Sequence, residues 1–289
     1  MTVEIHREHA LKCLDTLPPF SPVLNRLLGE MSSDYISMSE LSAIMERDTI
    51  IAGNVLKIAN SAAYGRREDV TSVCHAATLL GMERLRNAVL GMSVTRMWNR
   101  VEHPRSFSKA RFNLHSIATA VLSDLMAQRV AVNFPEGAFL AGLFHDLGRL
   151  LLAVGLSGLY TEVLAYQSGS HQPWSDCEFE VLGFTHAEIS EAACAKWRLP
   201  AAIIAAVGAH HDGRTSDSSL PFGTFPLSAI VGEASRYANF CGISVEASEI
   251  DDESLKPSES LRALGLEEEI PEIDKEFRIQ FEPLSSFFK

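Results

Sequence analysis

Cysteine is scarce in this chain of 289 residues. Cys13, Cys74, Cys177, Cys194 and Cys241 are odd in number and none stands in a CxxC pair, which disfavours a disulfide frame and suits reduced thiols in a cytosolic protein. Clusters of Lys and Arg are missing as well. The net charge is −12, and from Val245 onward thirteen acidic residues stand against five basic ones, so that stretch alone carries −8. A phosphate backbone has no basic track to follow, and direct nucleic-acid binding is disfavoured. The opening "MTVEIHREHA" has no basic head followed by an apolar run and a cleavage signature, so no secretion signal is expected. Alternating strands joined by Asn-Gly or Asp-Gly turns are almost absent, "HDG" at 211–213 being the nearest case. No apolar run is clean enough for a membrane span. The longest, roughly Ala138 to Leu156, is interrupted by His145, Asp146 and Arg149, which predicts a buried helix.

What is present is the material of a folded core: 46% hydrophobic and 21% charged residues. At this length roughly 75% of the unfolded surface can be buried. Leu, Ile, Ala and Met recur at three- and four-residue spacings, as in "SELSAIMERDTIIAGNVLKIANSAAYG", and predict an all-α protein. The polar stretch "NRVEHPRSFSKAR" at 99–111, broken by Pro104, divides it into two lobes, residues 1–105 and 106–289. In the first, Ser39 is a candidate cap for a helix from Glu40, and Gly65 is placed at the end of the helix holding Leu56, Ile58 and Ala59. Arg47, Asp48 and Asn60 read as caps or buried ion pairs that fix helix packing. In the second, helices are expected near 109–128, 136–154, 158–168, 175–183, 186–197, 200–211 and 225–240. Thr185 with Glu188 forms a capping box, and Pro200 stops the helix containing Trp197. The acidic C-terminal piece, with "LRALGL" and "EFRIQFEPL", is expected to pack as short helices.

Inside the apolar run "AGLFHDLGRLLL" a histidine and an aspartate stand side by side. Leaving either buried and unpaired costs on the order of several kcal/mol, so an ion pair, a metal site and an acid/base pair all compete as explanations. Of the ten histidines, His115, His145, His186, His210 and His211 each fall near an end of a predicted second-lobe helix. Facing helices of a bundle bring such distant positions into one interior site. Neighbouring helical residues diverge by about 100°, so His145 and Asp146 can both lean toward one cavity. Imidazole and carboxylate together suit a divalent transition metal such as Fe, Mn, Zn or Ni, and an Asp can bridge two ions.

Several of these segments carry a resemblance. "HSIATAVLSDLMA", "AFLAGLFHDLGRLLLA", "LGFTHAEISEAACAKWRLPAAIIAAVGAHH" and "LSAIVGEASRYA" resemble the HD superfamily of metal-dependent phosphohydrolases. "LPPFSPVLNRLLGEM", "LSAIMERDTIIAGNVLKIANSAAYG" and "ATLLGMERLRNAVLGM" look like the HD-related output domain, HDOD, a bacterial signalling module, so that the likeness runs from about Leu17 to Phe240. The resemblance implies that His115, His145, Asp146 and Glu233 hold one ion, with Asp146, His186, His210 and His211 around another. Glu233 stands where HD enzymes close the set with an Asp. Two ions about 3.5–4 Å apart would share a hydroxide poised to attack phosphorus. Asp146 and Arg149 are then the catalytic candidates, Arg149 as a clamp on a phosphate oxygen. The GYP motif of cyclic-dinucleotide phosphodiesterases is missing after "HHDG". The implied function is a cytoplasmic regulatory module of bacterial signal transduction that binds a signalling protein or a small nucleotide, without nucleic acid or membrane as partner. The alternatives are a metal-dependent phosphohydrolase acting on a nucleotide or phosphoester, and a metal-free interaction scaffold.

Overall fold

Asp48, Ser72, Ser108 and Thr185 each start a helix by accepting one or two of its first free backbone N–H groups, whereas the helices from Met82, Ala201 and Leu227 start without a side-chain cap. A computed structural model describes residues 3–30, 38–61, 69–170, 172–212, 217–247, 261–262 and 264–287. Among them there are no strands, only a bridge between Val132 and Phe225, so the architecture is all-α as the periodicity predicts. The first stretch comprises α1 (Val3–Lys12), α2 (Pro22–Glu30), α3 (Met38–Glu46), α4 (Thr49–Ala59), α5 (Val73–Leu80) and α6 (Met82–Trp98). Asp48 caps α4 by accepting from the Ile50 and Ile51 amides, and its second oxygen accepts from Arg96 of α6 at 3.2 Å. Asn60 ends α4 and clamps the Val70 amide and carbonyl. Both are packing devices, as read from the sequence. The α4 helix thus stops well before Gly65, which lies outside the described residues, and α3 starts at Met38, one residue ahead of Ser39.

The second stretch comprises α7 (Lys109–Ala127), α8 (Ala138–Phe144), α9 (Leu147–Gly155), α10 (Ser157–Ser170), α11 (Trp174–Leu182), α12 (His186–Lys196), α13 (Ala201–Gly208), α14 (Leu227–Phe240) and α15 (Ile270–Ser285). Helix α7 is buried along most of its length and packs against α8, α14 and α15. The capping box at Thr185 and Glu188 starts α12, and among the described residues the acidic C-terminus carries a short 3-10 turn at Glu267–Glu269 followed by the sixteen-residue α15. Two contacts cross the order of the sequence. Helix α1 packs on α9 and α12, and Arg7 pairs with Glu188 at 2.8 Å. Helix α6 touches α2, α4 and α5 on one side and α8 and α15 on the other, with Trp98 lying 4.9 Å from Phe112 and 6.1 Å from Phe144, ring to ring.

The helix expected over 136–154 is interrupted. Helix α8 ends at Phe144, His145 and Asp146 form a turn, and α9 begins at Leu147. Asp146 leaves helical geometry, with φ −97° and ψ 9°. Two glycines hold this corner close to its neighbours. A Cβ on Gly142 would come within 2.8 Å of Ala120 Cα on α7, and one on Gly148 within 2.0 Å of the His186 carbonyl oxygen. The whole segment Pro135–Gly155 is apolar and long enough to cross a membrane, yet it is buried among the other helices. The sequence expectation of a core element describes it.

Candidate metal centre

The turn between α8 and α9 thrusts the Asp146 carboxylate into a wall of imidazoles. Each of four rings is fixed through Nδ1. His115 reaches the Ile243 carbonyl, His145 the Gly142 carbonyl and His210 the Val207 carbonyl, all at 2.7 Å, while His186 reaches the Glu178 carboxylate at 2.5 Å. A ring that donates from Nδ1 presents Nε2 as a lone pair, the form a metal accepts. All four Nε2 atoms converge on Asp146. Oδ1 lies 3.0 Å from His186, 3.5 Å from His145 and 3.9 Å from His210, and Oδ2 lies 3.7 Å from His115. His211 completes the group, its Nε2 2.9 Å from that of His186. The donor atoms fall into two sets that share Asp146: one with His186, His210 and His211, the other with His115 and His145.

Electrostatics sort these residues. Burial pushes His145 down to about 4, with Asp146 opposing, and burial together with His211 and His145 holds His210 well below the usual imidazole range. Both rings are neutral at pH 7. Burial would raise Asp146, but His145, Arg149 and His186 hold its carboxyl well below the ordinary range. Burial would likewise lower His186, yet the Glu178 and Asp146 carboxylates on its two nitrogens lift it to about 9. The residues fit a cation. His145 Nε2 and His210 Nε2 are buried and have no hydrogen-bond partner, an arrangement that costs on the order of 1–3 kcal/mol per group unless a ligand takes the lone pair. Three nitrogens and a carboxylate oxygen are what borderline divalent metals select.

Not every expected residue joins the group. Glu233 does not: it is buried on α14 and its carboxylate pairs with Arg236. The side chain of α14 that reaches the centre is Ser235, whose Oγ stands 3.2 Å from His115 Nε2. Positions two apart on a helix diverge by about 200°, so only one of the pair can face inward, and the correction replaces an anion by a hydroxyl. Arg149 is buried, with one guanidinium nitrogen 3.4 Å from Asp146 Oδ2 and its plane 4.5 Å above the Trp174 ring. Lys196, another cation near the site in sequence, is turned away to Asp15 at 2.8 Å, and Arg214 lies outside the described residues. Sequence reasoning passed over Glu178, which accepts from the His186 ring, the His186 amide and Trp174 Nε1. Its signal was available: an acid four residues after Trp174 and four before Leu182, on the apolar stripe of α11.

The corner of this helical bundle turns a carboxylate into five imidazoles, a donor set that could hold a metal ion. The family model described as HDOD domain matches residues 17–213, and the chain belongs to the HDOD domain family. Three solved structures share its fold. An HDOD domain protein of unknown function from Geobacter sulfurreducens is 19% identical, with 96% of this chain and 98% of that one covered at a TM-score of 0.73. A candidate phosphohydrolase from Shewanella amazonensis SB2B is 20% identical, with 96% and 98% covered at 0.70. A candidate signal transduction protein from Marinobacter aquaeolei VT8 is 20% identical, with 99% and 65% covered at 0.72. An uncharacterized protein of Treponema pallidum (strain Nichols) is 19% identical over 200 residues, 69% of this chain, and the match spans 38% of that relative's length.

Proposed function

We propose that this chain is a regulatory module of bacterial signal transduction, cytoplasmic, built around a divalent transition-metal centre, and that it acts by binding a signalling protein or a small ligand. The mouth of the centre carries the reading. Of the clustered side chains His211 alone is exposed, at the edge of a cleft of about 500 Å³ whose walls include Asp176, Glu180 and Asp212 and, among the described residues, no Lys or Arg. A phosphoester approaching there meets like charge, which disfavours its entry by the same Coulomb rule that steers opposite charges together. The guanidinium that would clamp a phosphate, that of Arg149, is buried behind the metal ligands.

Asp146, His186, His210 and His211, with His145 beside them, would hold Fe, Mn, Zn or Ni. When bound, such an ion supplies a fixed positive charge that ties together the helices donating to it. Signalling and hydrolytic names both occur among the structural neighbours, so the two activities must be separated by experiment. Metal content of the purified protein and hydrolysis of a generic phosphodiester with Mn(II) or Fe(II) are measured side by side. Bound metal without turnover is the expected result. Turnover that Asp146→Ala abolishes would replace this reading with the metal-dependent phosphohydrolase, and a protein that binds no metal would leave only the scaffold.

A further inference from the structure

We infer that the centre takes one metal ion per chain, not two, and that the Arg149 guanidinium occupies the electrostatic place of the second. The inference rests on the metal-centre reading above and concerns how that centre is filled. The two carboxylate oxygens of Asp146 have different surroundings. Oδ1 is ringed by the Nε2 atoms of His186, His145 and His210 at 3.0, 3.5 and 3.9 Å. Oδ2, which a bridging carboxylate would give to a second ion, faces Arg149 Nη1 at 3.4 Å and His115 Nε2 at 3.7 Å. A permanent cation already stands against that oxygen.

Of the remaining donors of the second set, His115 is committed and His145 is not. The lone pair of His115 Nε2 faces Ser235 Oγ at 3.2 Å, within hydrogen-bond distance, whereas the Nε2 atoms of His145 and His210 have no partner. Glu233, the anion that could have closed this set, is held by Arg236. Charge counting leads the same way. Among the clustered side chains one carboxylate, Asp146, is in ligating position, and Glu178 acts on the group only through His186. One dication and the Arg149 guanidinium against these two carboxylates leave a single positive charge. Two dications beside the Arg149 guanidinium would leave a large uncompensated positive charge in a site where the side chains around Asp146 are almost wholly buried, which interiors do not sustain. The ion therefore sits at the Asp146, His186, His210 and His211 set, and His115 serves as a hydrogen-bonded wall.

Titration of the metal-free protein with Co(II), followed by its visible absorption and by metal analysis after gel filtration, tests this. The expected endpoint is one ion per chain. The double variant Ser235→Asp, Arg149→Gln, which supplies the missing anion and removes the standing cation, is expected to move the endpoint to two, with its folding checked by circular dichroism. If that variant does not fold, the wild-type endpoint decides alone. An endpoint of two in the wild type overturns the single-ion inference and leaves the metal centre standing, while an endpoint of zero overturns both.

Discussion

Glu178 is the residue on which the orientation of the centre turns. Its carboxylate accepts three hydrogen bonds, two from His186 and one from Trp174, and so fixes both the ring plane and the tautomer of a ligand. Carboxylates in this position raise ligand basicity, and their loss typically costs about 10–100-fold in metal affinity. Glu178→Gln keeps the shape and loses the charge. Competition against a chelator is expected to show affinity falling by about tenfold or more, whereas unchanged affinity would reduce Glu178 to a packing role. A second buried acid works on stability. Asp124, on α7, accepts from Gln128 at 3.0 Å, and burial, with Glu83 adding to it, pushes its carboxyl up to about 7 from 3.8. The folded protein therefore holds a proton that the unfolded chain releases. The stabilisation is complete below about pH 4 and drains away as pH rises through 7, a span worth on the order of 4 kcal/mol. Denaturant melts of wild type and Asp124→Asn, both metal-loaded, are expected to coincide near pH 4 and to separate toward pH 8, the variant being the more stable. A gap that does not widen with pH would locate the raised group elsewhere.

At the scale of elements, the corner between α8 and α9 is made by what lies against it. Gly148 brings α9 onto the backbone of α12, donates its amide to Ser190 at 2.7 Å, and leaves no space for a methyl group beside the His186 carbonyl. Gly148→Ala must separate the two helices, at a cost of about 3 kcal/mol or more, and carries His186 away from Asp146. Gly158→Ala on α10 meets nothing within 4 Å and, in an open helical position, is expected to be neutral or stabilising by up to about 1 kcal/mol. Thermal melts and metal content of the pair measure the contrast, and equal behaviour would refute the close-approach account. The corner also marks where the sequence stops being readable. The capping box at Thr185, the cap at Asp48 and the helical register of α7 rest on local chemistry and were legible. The break at 145–146 was not, because apolar spacing continues across it and its cause, the α12 backbone, is some forty residues away. Glu233 was placed in the set by the family resemblance, which fixes a position along α14 and not its direction, while the facing side of α14 is set by the helices it packs against. The docking of α1 on α9 and α12 leaves no local trace at all.

The whole molecule joins a half that holds the candidate metal ligands to a half that has none among its described residues. Donors to the ion come from the α8–α9 turn, α12 and the turn after α13, with His115 of α7 as a wall beside them, so an ion closes three separate elements around one point. Binding confined to the folded state adds stability by mass action, about 4 kcal/mol when free metal is 1,000-fold above Kd. Local opening of the ligating helices is penalised by the same amount, and that of helices outside the ligand set only through what touches them. One such contact is Trp98, which meets Phe144 one residue ahead of His145 and ends the helix on which α2, α4 and α5 rest. Hydrogen exchange with and without bound metal is therefore expected to slow strongly in α9, α12 and α13, to slow measurably in α7 and at the C-terminal end of α6, and to leave α2 through α5 nearly unchanged. Trp98→Leu, which keeps the site apolar but withdraws the ring from Phe144, is expected to confine the protection to the ligating helices without lowering metal content. Protection that spreads evenly over α2–α5 in both proteins would mean that the two lobes open as one unit, and that the module has no internal joint through which a signal could pass.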